Sequence, residues 1–506
     1  MSLAATACGG SAGTSASTPA STAQQEQEST VTVHLVAKPT LFHLAGKKVW
    51  GESYNGSFAG PTLHFTPGEH VSLTLTNKLS TATNLHFHGM HVSPSGDSDN
   101  VFLSIPPGDT FTYHLNIPED QPQGTYWYHD HDMCMGSSES ATASMPGMTA
   151  PSSSASSASC SNVESQVFAG LSGAIVVGDD RSLLPSDLQH ITAHTLVFKD
   201  VQIDKTGHIV QGTSTEPINS NKPTVRLVNG ELRPVLTMRP GETQLWRLLN
   251  AGADIFYALH LDGYHFTVIG NDGFPVAQVT TANSLLLPSG KRYDVLVTAG
   301  PHAGSTWLRT LAYSNGPQGD SYPDVPLLKL RVAGTPTQPL AMPSGAIPTA
   351  PGNLANAPIA QDRTVQLSEN SAGSSFHING KPFDMNRSIF STPAVVNTVE
   401  QWTIVNVSGE THPFHIHTGH FQVMSVNGVP RPFTGERDIV PVPYKKDGVP
   451  GKVVIRIDFA DFTGRWMFHC HIAAHEDNGM MSFVNVVNPP PAFNQSLIHD
   501  ILAAER

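Results

Sequence analysis

Charged residues are scarce in this chain of 506 residues, and basic residues in particular. Charged side chains make up 14% of the sequence, well below the roughly 25% of an average soluble protein. Lysine and arginine number 28 against 41 acidic residues, which gives a net charge of −13, and no basic run occurs. The sequence therefore lacks the phosphate-neutralising surface that nucleic-acid binding requires.

Long apolar runs are also missing. No segment reaches the roughly 18 apolar residues of a membrane-spanning helix. The 43 glycines and 39 prolines interrupt the chain throughout, which excludes a long coiled coil or a helical array. We expect a large, acidic, soluble protein that is rich in β-structure.

Cysteine is rare, with four residues in the chain. Cys134 and Cys160 bracket a segment rich in Ser, Ala, Thr and Met. A disulfide between them would restrict the unfolded loop and would persist in an oxidising compartment. The alternative is two reduced thiols.

The N-terminal segment has small residues before Cys8 and a Ser/Thr/Ala-rich run after it. This pattern resembles the tail of a bacterial lipoprotein signal, in which the cysteine carries a lipid and a flexible tether follows. The alternative is a flexible terminus with an incidental cysteine, because the charged and long apolar parts of a complete signal are missing. The resemblance implies a bacterial protein that is extracellular or attached to the cell surface.

A turn followed by an alternating apolar segment occurs three times. The turns contain Asn55-Gly56, Asn229-Gly230 and Asn379-Gly380, and the segments end at Asn77, Asn250 and Asn406. A period of two after a tight turn is typical of a half-buried strand. The internal repeat therefore predicts an all-β protein of three consecutive β-sandwich domains.

The composition of the chain sets the expected boundaries. A Pro/Ala/Gly-rich stretch between 334 and 357 indicates the linker before the third domain. The predicted division is a flexible tether (1–30), domain 1 (31–180, with a Met/Ser-rich insert at 132–162), domain 2 (181–345), a linker (346–359), domain 3 (360–490) and a C-terminal tail (491–506) with a short helix.

Histidine is unusually abundant, with 25 residues, and many of them lie in four clusters. These clusters are His86-Phe87-His88, His129-Asp130-His131, His412-Pro413-Phe414-His415-Ile416-His417, and His469-Cys470-His471 followed by His475. Along a strand, residues at i and i+2 point to the same face, so each His-x-His pair presents two imidazoles to one place. Eight histidines are thus predicted to converge on one centre.

The same alternation predicts a second centre. Cys470 faces away from His469 and His471 if the strand is regular, and His412 falls on the face opposite to His415. His412, Cys470 and His475, with a weak thioether from Met480, match an electron-transfer copper site. Zinc is the alternative for two histidines and a cysteine, but a catalytic zinc needs no neighbouring group of eight imidazoles.

These motifs resemble those of the multicopper oxidases, specifically the bacterial laccase-like members with three domains. The similarity runs from about Val31 to Val487 and includes Val167 to Val177 and K-R-Y-D-V-L-V at 291–297. It implies cupredoxin-like Greek-key domains, with a copper cluster between domains 1 and 3 and with domain 2 as a spacer.

The resemblance also implies a role for each ligand and four copper ions. His412, Cys470, His475 and the axial Met480 would bind the type 1 copper. His86 and His415 would bind the type 2 copper. The type 3 pair would be bound by His88, His129, His131, His417, His469 and His471. A methionine at the axial position further implies a low potential and easily oxidised donors.

The implied reaction is that of a laccase: four one-electron oxidations of phenolic or similar donors, coupled to reduction of dioxygen to water. Electrons would enter at His475. Glu476 and Asp97 match the family's proton-relay acids, although Asp99 competes with Asp97. For both acids, the alternative is a solvated carboxylate.

The insert departs from the usual laccase pattern because it carries Met133, Met135, Met145 and Met148. Thioethers are soft ligands that select cuprous copper, so an accessory copper site and a cuprous or metal-ion oxidase in copper tolerance form one alternative. A loop whose methionines bind nothing, or that covers the trinuclear site, is the other. A copper-binding protein without turnover also stays open. A monomer is expected, since one chain supplies both domains around the cluster.

Overall fold

The computed structural model describes residues 30–133, 162–213 and 216–489. This part of the chain is built almost entirely from β-strands, which form three sandwiches of two sheets each. Its two α-helices are short: α1 Val163–Ala169 and α2 Ala473–Asp477. Single 3-10 turns occupy Asp180–Leu183, Ser186–Leu188 and Leu354–Asn356. Within the described ranges, none of the helices is long and apolar enough to cross a membrane.

The first sandwich precedes residue 178. Its strands are β1 Thr30–Leu44, β2 Lys47–Tyr54, β3 Gly60–Phe65, β4 His70–Asn77, β5 His86–His88, β6 Thr110–Asn116, β7 Gly124–His129 and β8 Ser172–Val177. One sheet has the order β2-β1-β4-β6 and the other β3-β8-β7-β5.

The second sandwich contains a six-stranded and a five-stranded sheet. Its strands are β9 Ala193–Val201, β10 Val225–Val228, β11 Val235–Met238, β12 Thr243–Asn250, β13 Tyr257–Leu261, β14 Phe266–Asn271, β15 Phe274–Ala282, β16 Ser284–Leu287, β17 Arg292–Thr298, β18 Gly304–Leu311, β19 Tyr313–Ser314, β20 Ser321–Tyr322 and β21 Val325–Val332. The orders are β10-β9-β12-β17-β14-β15 and β11-β21-β18-β13-β16, with β19 and β20 as a separate ribbon.

The third sandwich follows a connection that contains no strand between 333 and 358. Its strands are β22 Ile359–Glu369, β23 Phe376–Ile378, β24 Ala394–Val395, β25 Val399–Asn406, β26 His412–Ile416, β27 Phe421–Val426, β28 Val429–Pro430, β29 Ile439–Val442, β30 Gly451–Asp458, β31 Gly464–Cys470 and β32 Met481–Val487. The orders are β23-β22-β25-β30-β27-β28 and β24-β32-β31-β26-β29.

A shared construction explains the repeated sequence pattern. In each sandwich the first long strand pairs in parallel with the alternating segment: β1 with β4, β9 with β12, and β22 with β25. Asn55, Asn229 and Asn379 all adopt a positive φ, and each side chain accepts a hydrogen bond from the backbone of that first strand. The predicted all-β fold of three consecutive sandwiches is confirmed.

The sandwiches pack closely against one another. The apolar core of the second continues into the third, and a separate cluster joins the first and second around α1. That cluster contains Phe42 of the first sandwich, Val201 of the second and Ala473 of the third. The histidine-bearing strands β5 and β7 are thereby held against β26 and β31.

Candidate metal centres

Five of the eight paired histidines lie on two facing strand pairs, and His131, His417 and His471 follow within two residues of the strand ends. In the first sandwich β5 pairs with β7, which places His86 opposite His129. In the third, β26 pairs with β31, which places His415 opposite His469. The rings of the two domains meet directly: His86 stacks on His417 with centroids 3.8 Å apart, and His88 stacks on His415 at 3.9 Å.

The eight imidazoles form overlapping groups whose donor atoms lie within 4.8 Å of one another. The groups are His88, His129 and His471; His131, His417 and His469; and His86, His88 and His415. All eight side chains are buried. The convergence expected from strand alternation is therefore present, at the boundary between the first and third sandwiches.

Hydrogen bonds around this group fix which ring nitrogen faces inward. The Nδ1 atoms of His129 and His415 lie 2.7 and 2.9 Å from the backbone carbonyls of Asp130 and Asp438, to which they donate. Their Nε2 atoms are buried without a hydrogen-bond partner. A buried lone pair that lacks a partner is costly, and a metal ion would satisfy it. The donor set thus fits metal binding.

Burial also favours the neutral form of individual rings in this group. It lowers the pKa of His471 to about 3, with His469 adding to the effect, and it lowers the pKa of His88 well below its usual range. Neutral imidazole is the form that binds a metal. These two rings therefore need no deprotonation at neutral pH before they accept an ion.

The second centre lies on the opposite side of β31. The Cys470 Sγ is 3.6 Å from the Nδ1 atoms of both His412 and His475, which are 3.2 Å from each other. Burial raises the pKa of the Cys470 thiol well above its usual range, so a thiolate here requires a positive charge beside it. A soft metal ion held by His412, Cys470 and His475 would supply that charge.

Neighbouring groups hold the two histidines of this centre. The Ser408 Oγ lies 2.7 Å from the His412 Nε2, and Phe376 stacks on His475 at 4.0 Å. His475 is only 7% exposed, and its Nε2 is 3.5 Å from a carboxylate oxygen of Glu410. Met480 is buried, and its backbone forms hydrogen bonds with the backbones of Cys470 and His475. The role of Met480 as axial ligand stays a prediction.

Cys470 joins the two centres. It lies between His469 and His471 in the chain, and its carbonyl is 3.0 Å from the His469 Nδ1. A covalent path through the backbone therefore connects the sulfur to the imidazole group, and this hydrogen bond provides a second route from Cys470 to His469.

Glu476 lies at the imidazole group, as the sequence predicts. Its carboxylate oxygens are 3.0 Å from the His131 Nε2 and 2.9 Å from the His469 Nδ1. Burial alone would raise the pKa of Glu476, but the neighbouring His131 and His469 outweigh it and hold this pKa well below its usual range. Glu476 is thus a buried carboxylate in direct contact with two candidate ligands.

The expected position of Asp97 is wrong. Asp97 is 55% exposed in its side chain and pairs at the surface with His114, at 2.8 Å. Asp99 lies at the cluster instead, buried, with both carboxylate oxygens 3.0 Å from the His86 Nδ1. The two acids lie in a loop, where strand alternation does not apply, so counting residues from His88 selected the wrong one.

Sequence reasoning missed Arg292 and Asp438. Both are fully buried, and Asp438 contacts His88 and His415. The available signal was weak: an acid before the apolar run I-V-P-V, and an arginine inside the noted K-R-Y-D-V-L-V segment. Neither motif indicates that the two residues meet.

Most of the methionine insert and three of the four cysteines lie outside the described residues. This holds for Cys8, Cys134, Cys160, Met135, Met145 and Met148. Met133 is described, and it packs in an apolar cluster with Met467, Met481 and Phe483. The predicted disulfide and accessory copper site therefore stay predictions.

The fold and the site together define a class of protein. It is a metalloprotein of three β-sandwiches, in which a sulfur-containing centre is connected through the backbone of Cys470 to a polyhistidine centre. Three family models, each for multicopper oxidases, match residues 36–150, 186–323 and 356–490. The chain belongs to the multicopper oxidase family, whose domains are cupredoxin-like, and this membership implies that the histidine clusters bind copper.

Individual relatives agree with this. The chain is 26% identical to the multicopper oxidase MmcO of Mycobacterium tuberculosis, over 95% of this chain and 92% of that one. It is 27% identical to a laccase of Bacillus subtilis, over 92% of this chain and 96% of that one. A solved multicopper oxidase from Campylobacter jejuni, described as a metallo-oxidase, superposes with a TM-score of 0.73 at 25% identity, covering 92% of this chain and 93% of that one.

Proposed function

We propose that this protein is a laccase-like oxidase that takes single electrons from phenolic or similar donors and reduces dioxygen to two waters. Four electrons and four protons are consumed for each dioxygen. The observation that carries the proposal is the presence of two connected sets of metal-binding side chains. One set contains Cys470 and the other contains eight histidines, and within each group of three the donor atoms lie within 4.8 Å of one another.

The ligand assignment follows the groups of donor atoms. His412, Cys470 and His475, with Met480 as axial ligand, would hold a type 1 copper. His88, His129 and His471 would hold one type 3 copper, and His131, His417 and His469 the other. His86 and His415 remain for the type 2 copper. When bound, these ions would accept electrons singly and pass four of them to dioxygen.

The chain's own residues provide the routes by which electrons and protons would reach these sites. His475 is the least buried member of its centre and offers the shortest way in for an electron. Cys470 links that centre to His469 and His471 through its backbone. Glu476, between His131 and His469, is placed to pass protons to the cluster, and Asp99 is placed to do so from the side of His86.

A copper count, a visible spectrum and oxygen uptake with a phenolic donor test this function together. We expect four coppers, an intense blue absorption from the thiolate, and oxygen uptake that stops when the donor is omitted. A Cys470→Ser variant should lose the blue colour and turnover, yet keep copper at the histidine cluster. A blue protein that consumes no oxygen with any donor would be a copper-binding protein without turnover.

A cuprous or metal-ion donor is the second candidate. Glu410 lies 3.5 Å from the ring and bonds Asn315, and burial followed by the charge of Glu369 raises the pKa of Glu410 to about 9. Because that pKa leaves Glu410 protonated at neutral pH, Glu410 supplies no negative charge that would attract a cation to His475, and the support for this candidate comes from a relative. The Campylobacter jejuni relative is described as a metallo-oxidase.

The insert gives the test of this second candidate. Changing Met133, Met135, Met145 and Met148 together to Leu should slow cuprous oxidation and leave phenol oxidation unchanged if the insert handles copper. Met342→Leu with Met385→Leu is the matched control, since both lie outside the insert. Equal cuprous rates in wild type and the fourfold variant would remove the insert from the mechanism.

We further propose an extracellular or cell-surface location, with a Cys134–Cys160 disulfide and a lipid on Cys8. Thiol mapping under denaturing, non-reducing conditions tests the disulfide, because free thiols at both Cys134 and Cys160 would exclude it. Intact-mass measurement of native material tests the lipid.

A further inference from the structure

The second sandwich reaches the cluster through Ser289, whose Oγ lies 3.3 Å from the His471 Nδ1, and through Arg292 at the start of β17. Arg292 is fully buried, and its guanidinium binds Asp438 of the third sandwich through both terminal nitrogens, at 2.8 and 2.7 Å. Its Nε donates to the carbonyl of Thr125 in the first sandwich, at 3.1 Å. A bidentate pair of this kind fixes both distance and orientation.

The remaining donors of Arg292 are also used. Nη1 donates to the Gly290 carbonyl at 3.1 Å and Nη2 to the Asp272 carbonyl at 2.9 Å. All five N–H groups of the guanidinium therefore have an acceptor. The side chain has one available geometry, and that geometry holds Asp438 in place.

Asp438 in turn contacts two candidate copper ligands. Its carbonyl accepts the Nδ1–H of His415 at 2.9 Å, and its carboxylate lies 3.4 Å from the Nε2 of His88. The first contact leaves the Nε2 of His415 facing the cluster. In the second contact the two ring nitrogens exchange places. The Nε2 of His88 faces Asp438, and its Nδ1 faces the cluster, 3.2 Å from the Nε2 of His471.

His88 thus needs its proton on Nε2, unlike His86, His129 and His415, whose Nδ1 atoms face acceptors. Which nitrogen of a ligating histidine is free for the metal is set by the hydrogen bond that the other nitrogen makes. For His88, the acceptor that faces Nε2 is the Asp438 carboxylate.

The glycine after His88 shows how closely the pair is fitted. Gly89 has φ +82°, and a Cβ there would lie 2.3 Å from the Arg292 Nη2 and 2.5 Å from the Asp438 Oδ2. A side chain at position 89 would displace the ion pair. The glycine of the His-Phe-His-Gly motif is therefore explained by Arg292 and Asp438.

We propose that Arg292 and Asp438 are positioning residues that set the inward-facing nitrogens of His88 and His415, so that the second sandwich controls the copper cluster and does more than separate its neighbours. This inference rests on the proposed copper sites. A purely structural role, as an ion pair that joins domains, is the competing explanation.

Copper retention separates the two explanations. Asp438→Asn keeps the size of the side chain but replaces one carboxylate oxygen with an NH2 group and removes the negative charge, and Arg292→Gln removes the bidentate clamp. Arg363→Gln is the matched control, because Arg363 makes an equally buried bidentate pair with Glu400, at 2.6 and 2.8 Å, away from the cluster. Each protein is loaded with cupric ion, dialysed against a chelator, and examined by copper analysis, electron paramagnetic resonance and visible absorption.

We expect Asp438→Asn and Arg292→Gln to keep the blue type 1 absorption but to bind cluster copper about 10–100-fold more weakly, with an altered type 2 resonance, as is typical when a residue that orients a ligand is lost. Arg363→Gln should lower the melting temperature and keep its full copper. Arg292→Lys, which keeps the charge without the fork, should retain part of the cluster copper.

Other results would overturn the inference. Wild-type copper retention in Asp438→Asn, or equal losses of blue and cluster copper in all variants, would leave a structural role only. If Arg292→Gln fails to fold, Asp438→Asn decides alone, with the melting temperature of its metal-free form as the check on folding. A wild-type protein that holds no cluster copper would instead contradict the proposed function.

Discussion

Asp99 accepts a hydrogen bond from the Nδ1 of His86, with both carboxylate oxygens at 3.0 Å, and it also accepts one from the backbone N–H of Phe87. One carboxylate therefore orients the imidazole and the strand that carries it. Asp97, two residues earlier, faces solvent beside His114.

This relationship predicts different outcomes for two similar substitutions. Asp99→Asn should lower oxygen reduction by at least about tenfold, because it replaces one of the two carboxylate oxygens at the His86 Nδ1 with an NH2 group and removes a placed acid. Asp97→Asn should leave the rate unchanged, since the exposed pair with His114 contributes little. Rates per bound copper measure this; an equal loss in both variants would contradict the assignment.

Glu476→Gln should slow dioxygen reduction by roughly 10²-fold, the lower end of what a placed acid or base contributes. The amide keeps the size of the side chain but cannot accept and release a proton. The type 1 centre should still be reduced by the donor at the wild-type rate, which stopped-flow bleaching of the blue absorption measures. Unchanged oxygen reduction at full copper loading would show that Glu476 carries no proton.

Removal of copper should lower the melting temperature. The metal-free protein leaves the Nε2 atoms of His86, His129 and His415 buried without partners, and ligands that bind only the folded state stabilise it. Scanning calorimetry of chelator-treated and reloaded protein checks this. When copper is added back, the Cys470→Ser variant should recover most of the increase in melting temperature, because its histidine cluster is intact.

Lys199 gives a prediction about pH. Its Nζ is buried between the first two sandwiches and donates to the carbonyls of Val167 and Ala251, at 2.8 and 3.1 Å. Burial lowers the pKa of Lys199 from 10.5 to about 7, although Asp200 opposes the shift.

Between pH 7 and 10.5 the unfolded chain therefore binds more protons at this lysine than the folded chain does. Stability rises with pH wherever that is so, by up to about 1.4 kcal/mol per pH unit for one group. The melting temperature of wild type minus that of Lys199→Met should increase from pH 7 to pH 10. A flat difference would mean that Lys199 stays charged in the folded protein.

Strand alternation made most of the site predictable from sequence. It placed His469 and His471 on one side of a strand and Cys470 on the other, and it separated His412 from His415, which matches the groups in the structure. The three-fold repeat similarly predicted three sandwiches, because each Asn-Gly turn uses the same backbone geometry.

The rest depends on contacts that no local pattern encodes. The choice between Asp97 and Asp99 is made by a loop, and Arg292 meets Asp438 from a different domain. The short helix α2 brings His475 and Glu476 back to the strand that they follow. It has only five residues, which is too few for a clear helical pattern in the sequence.

The division of the histidines between β5 and β7 near one end of the chain and β26 and β31 near the other has a consequence for biosynthesis. The pocket for the ions does not exist until residue 471 has been made and the terminal sandwiches have docked. A nascent chain that has left the ribosome only as far as the second sandwich holds four of the eight imidazoles, so metallation belongs to the last stage of maturation.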